Sequence, residues 1–507
     1  MSSASQSTAG TADRLRFGAG AVVALVVLAA FAAHTALVGT TPDFPLDDAY
    51  TVLHNARLLH EGGADPTYPG VPALVGSTSA VHLAIVALLG FVLPLPLALH
   101  GVAWAGALLY GLGCARLAGA AGAGPRTAAG FGLAALLVSD TPMQLLNGLE
   151  TGLAMAAVAW ALALAAEGVT RRPLATAALA GAMPFIRPEL AALAAPLFGW
   201  LMLATTRAAG DMRGGLARCA GPAAVAVLVA APWMAWALAE TGGVLPATAA
   251  AKRAWFAEAG LGAGRSLALV GVAVASFLGP FWMAILAAPQ FPVRTAAGRL
   301  AIGFAGLVVG SFAVNLPGAL FHNDQRYLYG LAPVLLLAIA QMARAPLRLP
   351  GGRTIPPAWV IGLFVAQAVV LAPAGIERYR AALERTDVEL ASLSRWARET
   401  LPANAHLLVH DVGHLSWATG FRITDLVGLK TPSSIPDHLA LTLPSNGARR
   451  GEAVARIAAR AGATHLVALD EWDRLFAITD GLRAAGWTLV PVRGDGRYRV
   501  YALTPPV

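Results

Sequence analysis

Residues 44–61, FPLDDAYTVLHNARLLHE, set Asp47 and Asp48 side by side just after the first long apolar run of the chain. Two adjacent carboxylates at the outer end of a membrane helix suit either of two chemistries: oxygen ligands for a cation, or a catalytic base beside a helper. A purely structural task also fits, because either acid would cap the helix implied by Tyr50, Leu53, Arg57, Leu58 and Glu61. Capping needs only one of the two.

Four further stretches carry polar residues where apolar ones would be expected. The first, 140–153, reads DTPMQLLNGLETGL and offers Asp140, Gln144, Asn147 and Glu150 at a helix junction, either as functional groups or as caps and local helix-start charge. In MPFIRPEL, 183–190, Arg187 and Glu189 flank a proline inside an apolar region, a costly placement unless they face substrate or pair with each other. In GVLPATAAAKRAWF, 243–256, Thr248, Lys252 and Arg253 stand beside Trp255 and Phe256. Such a group suits a phosphate whose tail lies in lipid, and equally an ordinary aromatic belt with basic neighbours. In FHNDQRYLYG, 321–330, His322, Asp324, Gln325 and Arg326 precede an apolar run; Arg326 could grip a phosphate bidentately or pair with Asp324. Arg187, Lys252 and Arg326 together would bind an anion beside the acids. No phosphate-cradling P-loop or dinucleotide fingerprint is present, which argues against a nucleotide-driven machine.

The elements that must position these groups are membrane helices. The 507 residues are 57% hydrophobic and only 13% charged, with a mean hydropathy of +0.63, and apolar runs recur over 19–372. This is a polytopic α-helical membrane protein, rich in glycine and alanine for close helix packing. The net charge of +8 reads as arginine on cytoplasmic loops, with no call for nucleic acid. Cys114 and Cys219 lie in apolar segments with no evident disulfide role. Arg14 and Arg16 precede a retained first helix at 18–38, so the acid-bearing loop 40–79 is expected outside the cytoplasm. The short run 80–93 fits an interfacial or partly inserted helix; counting it as a full span would turn Arg126, Arg171 and Arg172 outward. Threading the rest gives about eleven crossings and a membrane domain over 1–375. Residues 376–507 change character: a helix-like run at 451–461 alternates with strand-like runs at 406–409, 465–468, 488–492 and 498–503. They are expected to form a small extracytoplasmic α/β domain.

DDAY (47–50) with NARLLHEG (55–62), NGLETGL (147–153), RPE (187–189), LPATAAAK (245–252) and DQRYLYGLAP (324–333) occur in that order. With DVGHLSWATGFRITDLVGLKTP (411–432) in the outer domain, the chain resembles the GT-C superfamily of integral membrane glycosyltransferases. The resemblance leans to the bacterial arabinofuranosyltransferase branch of terminal β-(1→2) type. It departs at 71–82, VPALVGSTSAVH, where the branch often carries glutamate-glycine-tyrosine, so acceptor contacts are expected to differ.

The resemblance implies an inverting transferase that moves a sugar, arabinofuranose first, from a polyprenyl-phosphate donor to a glycan or glycoprotein acceptor outside a bacterial cytoplasmic membrane. Asp47 or Asp48 would be the base, and Lys252 and Arg326, helped by Arg187, would hold the phosphate. Asn147, Glu150, Glu189, Thr248, His322, Asp324 and Tyr327 are the expected substrate contacts. In the outer domain Asp411, His414, Trp417, Arg422 and Asp425 are candidates for the acceptor side or for docking the domain onto the outer loops. A divalent cation, magnesium or manganese, could be held by Asp47, Asp48 and Glu150. The rival class is a transporter or flippase of a lipid-linked sugar or glycan. An envelope scaffold is a third, but it leaves the clustered cations without a task.

Overall fold

The computed structural model describes residues 3–344, 347–348 and 353–506, with side chains described except at 3–17, 259 and 347–348. Arg14 and Arg16 therefore lie outside the described side chains. Seven helical stretches among the described residues are long and apolar enough to cross a membrane: Gly18–Val38, Leu95–Ala120, Pro188–Ala209, Met212–Thr241, Ala263–Gln290, Ala296–Asn315 and Pro357–Thr400. Shorter apolar helices, Ala80–Gly90, Thr151–Glu167, Pro173–Ile186 and Ala332–Gln341, pack among them. The chain is a multi-pass membrane protein. Residues from these helices form one large core; its members are largely alanine, with larger residues such as Phe131, Phe281 and Phe364 filling between them. Small side chains of this kind let helix backbones approach closely in lipid.

The Ala80–Gly90 helix has 11 residues. At 1.5 Å per residue it spans about 16 Å, roughly half of a hydrocarbon core. Its N-terminus is capped by Ser79, whose Oγ accepts from the His82 amide at 3.1 Å and donates to the Phe185 carbonyl at 3.1 Å.

Helix Pro357–Thr386 runs unbroken through position 375 and hands the chain to a five-stranded sheet. In spatial order its strands are Arg422–Asp425, His406–Val409, His465–Leu469, Tyr498–Thr504 and Thr488–Arg493. The first three are parallel, with His406 opposite Arg422 and Leu407 opposite His465; the last two join antiparallel. The strand-like runs of the sequence are all strands here. Arg422–Asp425 is an additional one, too short and polar to announce itself.

Alternation along these strands feeds two cores, and both borrow from outside the sheet domain. On one face Leu408, Leu466 and Leu503 pack with Val454 and Ile457 of helix Arg450–Ala461, and with Ala251 and Trp255 of the short helix Thr248–Phe256 that follows the Met212–Thr241 helix. On the other, Leu407, Val409 and Val467 pack with Leu393 and Ala397, and with Tyr68 from the 40–79 segment. Trp255 and Phe256, expected at a membrane interface, instead sit against Trp472 and Phe476 of the sheet domain. Large rings need an apolar neighbour, and a protein core supplies one as well as lipid does.

Candidate active site

The two adjacent acids open helix Asp47–Glu61 and part company at once. Asp47 turns to the sheet domain: its Oδ2 accepts from the Gly413 amide at 2.6 Å and its Oδ1 from the His414 amide at 2.8 Å. These are the first two amides of helix Gly413–Ala418, the donors that a helix leaves without partners at its start. A Cβ on residue 413 would fall on the Asp47 carbonyl oxygen, so only glycine permits this approach. Burial, followed by the charge of Asp411, pushes the Asp47 carboxyl up to about 7 against the pull of the two amides. Asp48 turns the other way. Its Oδ2 lies 3.3 Å from Arg326 Nη1, and its side chain remains 36% exposed to the pocket.

Arg326 is the hub. Its Nη2 stands 4.0 Å from Glu150 Oε1, which is itself 3.2 Å from Arg187 Nη1, and Arg187 Nε donates to Glu189 Oε1 at 2.6 Å. A charged chain therefore runs Glu189, Arg187, Glu150, Arg326, Asp48. Within it the buried Arg326 Nε has no hydrogen-bond acceptor among the described residues. Tyr327 lies inside the ring of cations: Arg187, Arg326 and Lys252 stand 5.1, 5.4 and 5.7 Å from its ring centre, and Lys252 Nζ donates to its hydroxyl at 3.0 Å. Burial, followed by the charges of Lys252 and Arg326, lowers the His322 imidazole to about 4. It is a neutral neighbour at ordinary pH.

Thr248 and Lys252 are one turn apart on helix Thr248–Phe256. They line one pocket with Asp48, Thr51, Ser77, Glu150 and Arg326. Ala251 and Trp255, interleaved with them at i, i+3, i+4, i+7 spacing on the same side of that helix, are buried in the sheet-domain core, and the Arg450 guanidinium donates to the Trp255 carbonyl at 2.9 and 3.1 Å. Through Gly76, Ser77 and Thr78 the pocket adjoins an apolar cleft of about 280 Å³, lined by Leu74, Phe185, Ala237, Val244, Leu245 and Pro246 among others.

Other expected site residues are spent elsewhere. Asn147 accepts from the Leu149 amide at 2.9 Å and donates to Gln144 at 3.3 Å, a turn that delivers Glu150 to the start of helix Thr151–Glu167. Asp324 is exposed, and Arg326 pairs with Asp48 and Glu150 rather than with it. Its backbone is left-handed, which turns its side chain away from the guanidinium two residues on.

In the sheet domain, Asp411 accepts from the Tyr498 hydroxyl at 2.6 Å and lies 3.3 Å from His410 Nδ1. Burial would raise its carboxyl, but His410 and Tyr498 outweigh that and hold it below the usual range. His414 bonds Ser394 at 2.8 Å and its ring meets Tyr50 at 4.5 Å; Trp417 receives Arg57, 4.8 Å over its ring and 3.0 Å from its carbonyl. Both dock the domain onto helix Asp47–Glu61. Asp425 accepts from the Val427 and Lys430 amides, each at 2.8 Å, and shapes the loop that sends Lys430 toward helix Asp47–Glu61. There Lys430 Nζ donates to Asn55 Oδ1 at 2.9 Å. Gly76, with φ +86°, leaves the room that its side chain needs. Arg422 is exposed at the far end of the same strand and is not brought to the pocket.

The carboxylates proposed for a divalent cation do not fit one. Asp47 is held by amides, and Asp48 and Glu150 by guanidinium groups, so no oxygen donor set converges. Among the described residues no group of three His, Cys, Asp or Glu side chains does so elsewhere.

Comparison with known proteins covers both parts of the chain. A domain of unknown function, DUF8728, matches residues 370–501. The chain is similar to ArnT from Cupriavidus metallidurans in its crystal structure with undecaprenyl phosphate: TM-score 0.51, 15% identity, 94% of this chain and 97% of that one. It is similar also to the apo oligosaccharyltransferase of Archaeoglobus fulgidus, with TM-score 0.45, 11% identity, and 90% and 70% of the two chains covered. For the mycobacterial arabinofuranosyltransferase AftD the TM-score is 0.43 and the identity 18%, over 96% of this chain but 41% of AftD. No curated protein matches the chain. The likeness to ArnT, end to end in both chains, shows a shared fold.

Proposed function

We propose that this protein is an inverting glycosyltransferase that takes a sugar from a polyprenyl-phosphate donor and gives it to a glycan or glycoprotein acceptor. One observation carries this reading: Asp48, Lys252 and an incompletely satisfied Arg326 share a pocket that adjoins an apolar cleft. A charged pocket beside an apolar cleft suits an amphiphile with an anionic head. ArnT, whose fold this chain shares, was crystallised with undecaprenyl phosphate, a ligand of that chemistry.

In the reaction Asp48 takes the proton of the acceptor hydroxyl, and the freed oxygen attacks the anomeric carbon from the face opposite the phosphate. The carbon–oxygen bond to phosphate breaks and its electron pair leaves with the polyprenyl phosphate. Lys252 and Arg326 stabilise the charge that develops there, so the leaving group needs no acid. Glu150 and Arg187 hold Arg326 in place, and Glu189, Thr248, His322 and Tyr327 complete the walls. Asp411 faces the acceptor side. Arabinofuranose is the first donor sugar to test, on the strength of the ordered motifs from DDAY to DQRYLYGLAP. The proposal includes about eleven crossings of a bacterial cytoplasmic membrane, with the pocket and the 376–507 domain facing outward.

The test is incubation of the purified protein in nanodiscs with synthetic polyprenyl-phosphate sugars and envelope glycan extracts, following polyprenyl phosphate release and product mass. Release with one sugar and an inverted product support the transferase. Movement of intact donor across a liposome membrane with no release would replace it by a flippase.

A further inference from the structure

Arg326 reaches Asp48 and Glu150 from an unusual piece of backbone. Asn323, Asp324 and Gln325, directly before it, are all left-handed, with φ of 50°, 54° and 63°. Three consecutive non-glycine residues in that region are strained, and such a turn persists only where its surroundings over-determine it. The surroundings here are specific. Gln144, fully buried on helix Thr141–Leu146, donates from its one Nε2 to the carbonyls of Asn323 at 3.0 Å and Asp324 at 3.1 Å. Its own Oε1 is fixed by Asn147 Nδ2 at 3.3 Å, which sets which way the amide points. From the other side Gln325 bonds Ser276, and beyond the turn the Asp140 amide donates to the Tyr329 hydroxyl at 3.0 Å.

We propose that Gln144 is the positioning residue for Arg326: its amide pins the two strained carbonyls, and the pinned turn aims the guanidinium at Asp48, Glu150 and the donor phosphate. This deepens the transferase reading and rests on it for the identity of the anion. Without the amide donors the turn relaxes toward ordinary backbone, and Arg326, the next residue, rotates out of the pocket. Gln144 touches none of the reacting groups, so its effect passes wholly through Arg326.

The test is a double-mutant cycle on the full chain in nanodiscs, read first as affinity for undecaprenyl phosphate and second as turnover. Gln144→Met keeps volume but loses both donors. It is expected to weaken undecaprenyl phosphate binding roughly tenfold or more, as loss of a bond to a charged partner does, and to leave the acceptor KM within about twofold. In an Arg326→Ala background the same change is expected to cost almost nothing, because coupled residues are not additive. Asn323→Gly or Asp324→Gly, which accept a left-handed backbone without strain, are expected to restore much of what Gln144→Met loses. Equal losses in both backgrounds, or a folded Gln144→Met protein that the glycines do not rescue, would overturn the assignment. If Gln144→Met does not fold, Gln144→Glu, an isostere without the donors, runs the same cycle. Failure of turnover with lipid binding intact sinks the transferase reading and leaves the cycle to decide on affinity; a wild type that binds no undecaprenyl phosphate overturns both.

Discussion

Asp47 and Asp48 are chemically identical neighbours with different partners, and changing each to asparagine should separate them. Asp48→Asn removes a group exposed to the pocket whose ion pair among the described residues is with Arg326, at 3.3 Å. A part-exposed pair of this kind contributes roughly 0–1 kcal/mol to stability, so the melting midpoint should hardly move. If Asp48 is the base, turnover should fall about 10²- to 10⁴-fold, the range that general base catalysis supplies. Asp47→Asn keeps one oxygen to accept from an amide but sets an NH₂ group against the other, at a site where both amides lie within 2.8 Å. Losing one charge-assisted bond costs about 1.5–3 kcal/mol. That loss falls on the joint between helix Asp47–Glu61 and the sheet domain, so a lower melting midpoint is expected with turnover reduced less than about tenfold. The assay is polyprenyl phosphate release by detergent-purified protein, beside a thermal melt of each variant. A folded Asp47→Asn protein with no turnover, beside an active Asp48→Asn protein, would refute the division of labour.

Three further outcomes follow. Lys252→Met should lower kcat by about 10²- to 10³-fold, the cost of removing one donor to a developing charge; single-turnover kinetics with lipid donor checks this. EDTA treatment should leave turnover unchanged, because Asp47, Asp48 and Glu150 are committed to amides and guanidinium groups; a loss restored by magnesium or manganese would contradict that reading. Burial lowers the Lys430 ammonium from 10.5 to about 8, so stability is lost as pH falls through 8 and regained as it rises toward 10.5. The shift corresponds to about 3 kcal/mol. Melting midpoints of wild type should therefore climb across that interval, and those of Lys430→Met should stay flat.

The membrane domain was legible in the sequence because apolar length is a direct physical requirement of crossing a bilayer. Most strands of the sheet domain were legible too, since Leu407, Leu408 and Val409 or Leu466 and Val467 can only be buried. Charge imbalance marked Arg187, Lys252 and Arg326, because a cation in an apolar region needs a partner. The partners themselves were not legible. Arg326 had an acid two residues away and chose one 278 positions away, because three left-handed residues turn the chain between them. Ser77 and Thr78 line the pocket but carry no charge or pattern that marks them in sequence. Gln144 stood in view as one polar residue among several; its importance lies in which carbonyls it meets, a tertiary fact.

The sheet domain bears on the chemistry without contributing the base or the cations. Asp48 begins the helix that Asp47 anchors to Gly413 and His414, and Lys252 rides on the helix whose Trp255 is buried in the sheet-domain core. Lys430 and Tyr68 fasten the loop that carries Ser77 and Thr78. Both cores are therefore incomplete without segments of the membrane domain, and those segments are the ones that wall the pocket. A pocket built from loops can hold reacting groups within a fraction of an ångström only if the loops are as rigid as the elements behind them. Here that rigidity comes from the sheet domain, so damage to its docking contacts, as in Asp47→Asn, should register first as a lower melting midpoint, with the smaller loss of turnover following from the loosened pocket.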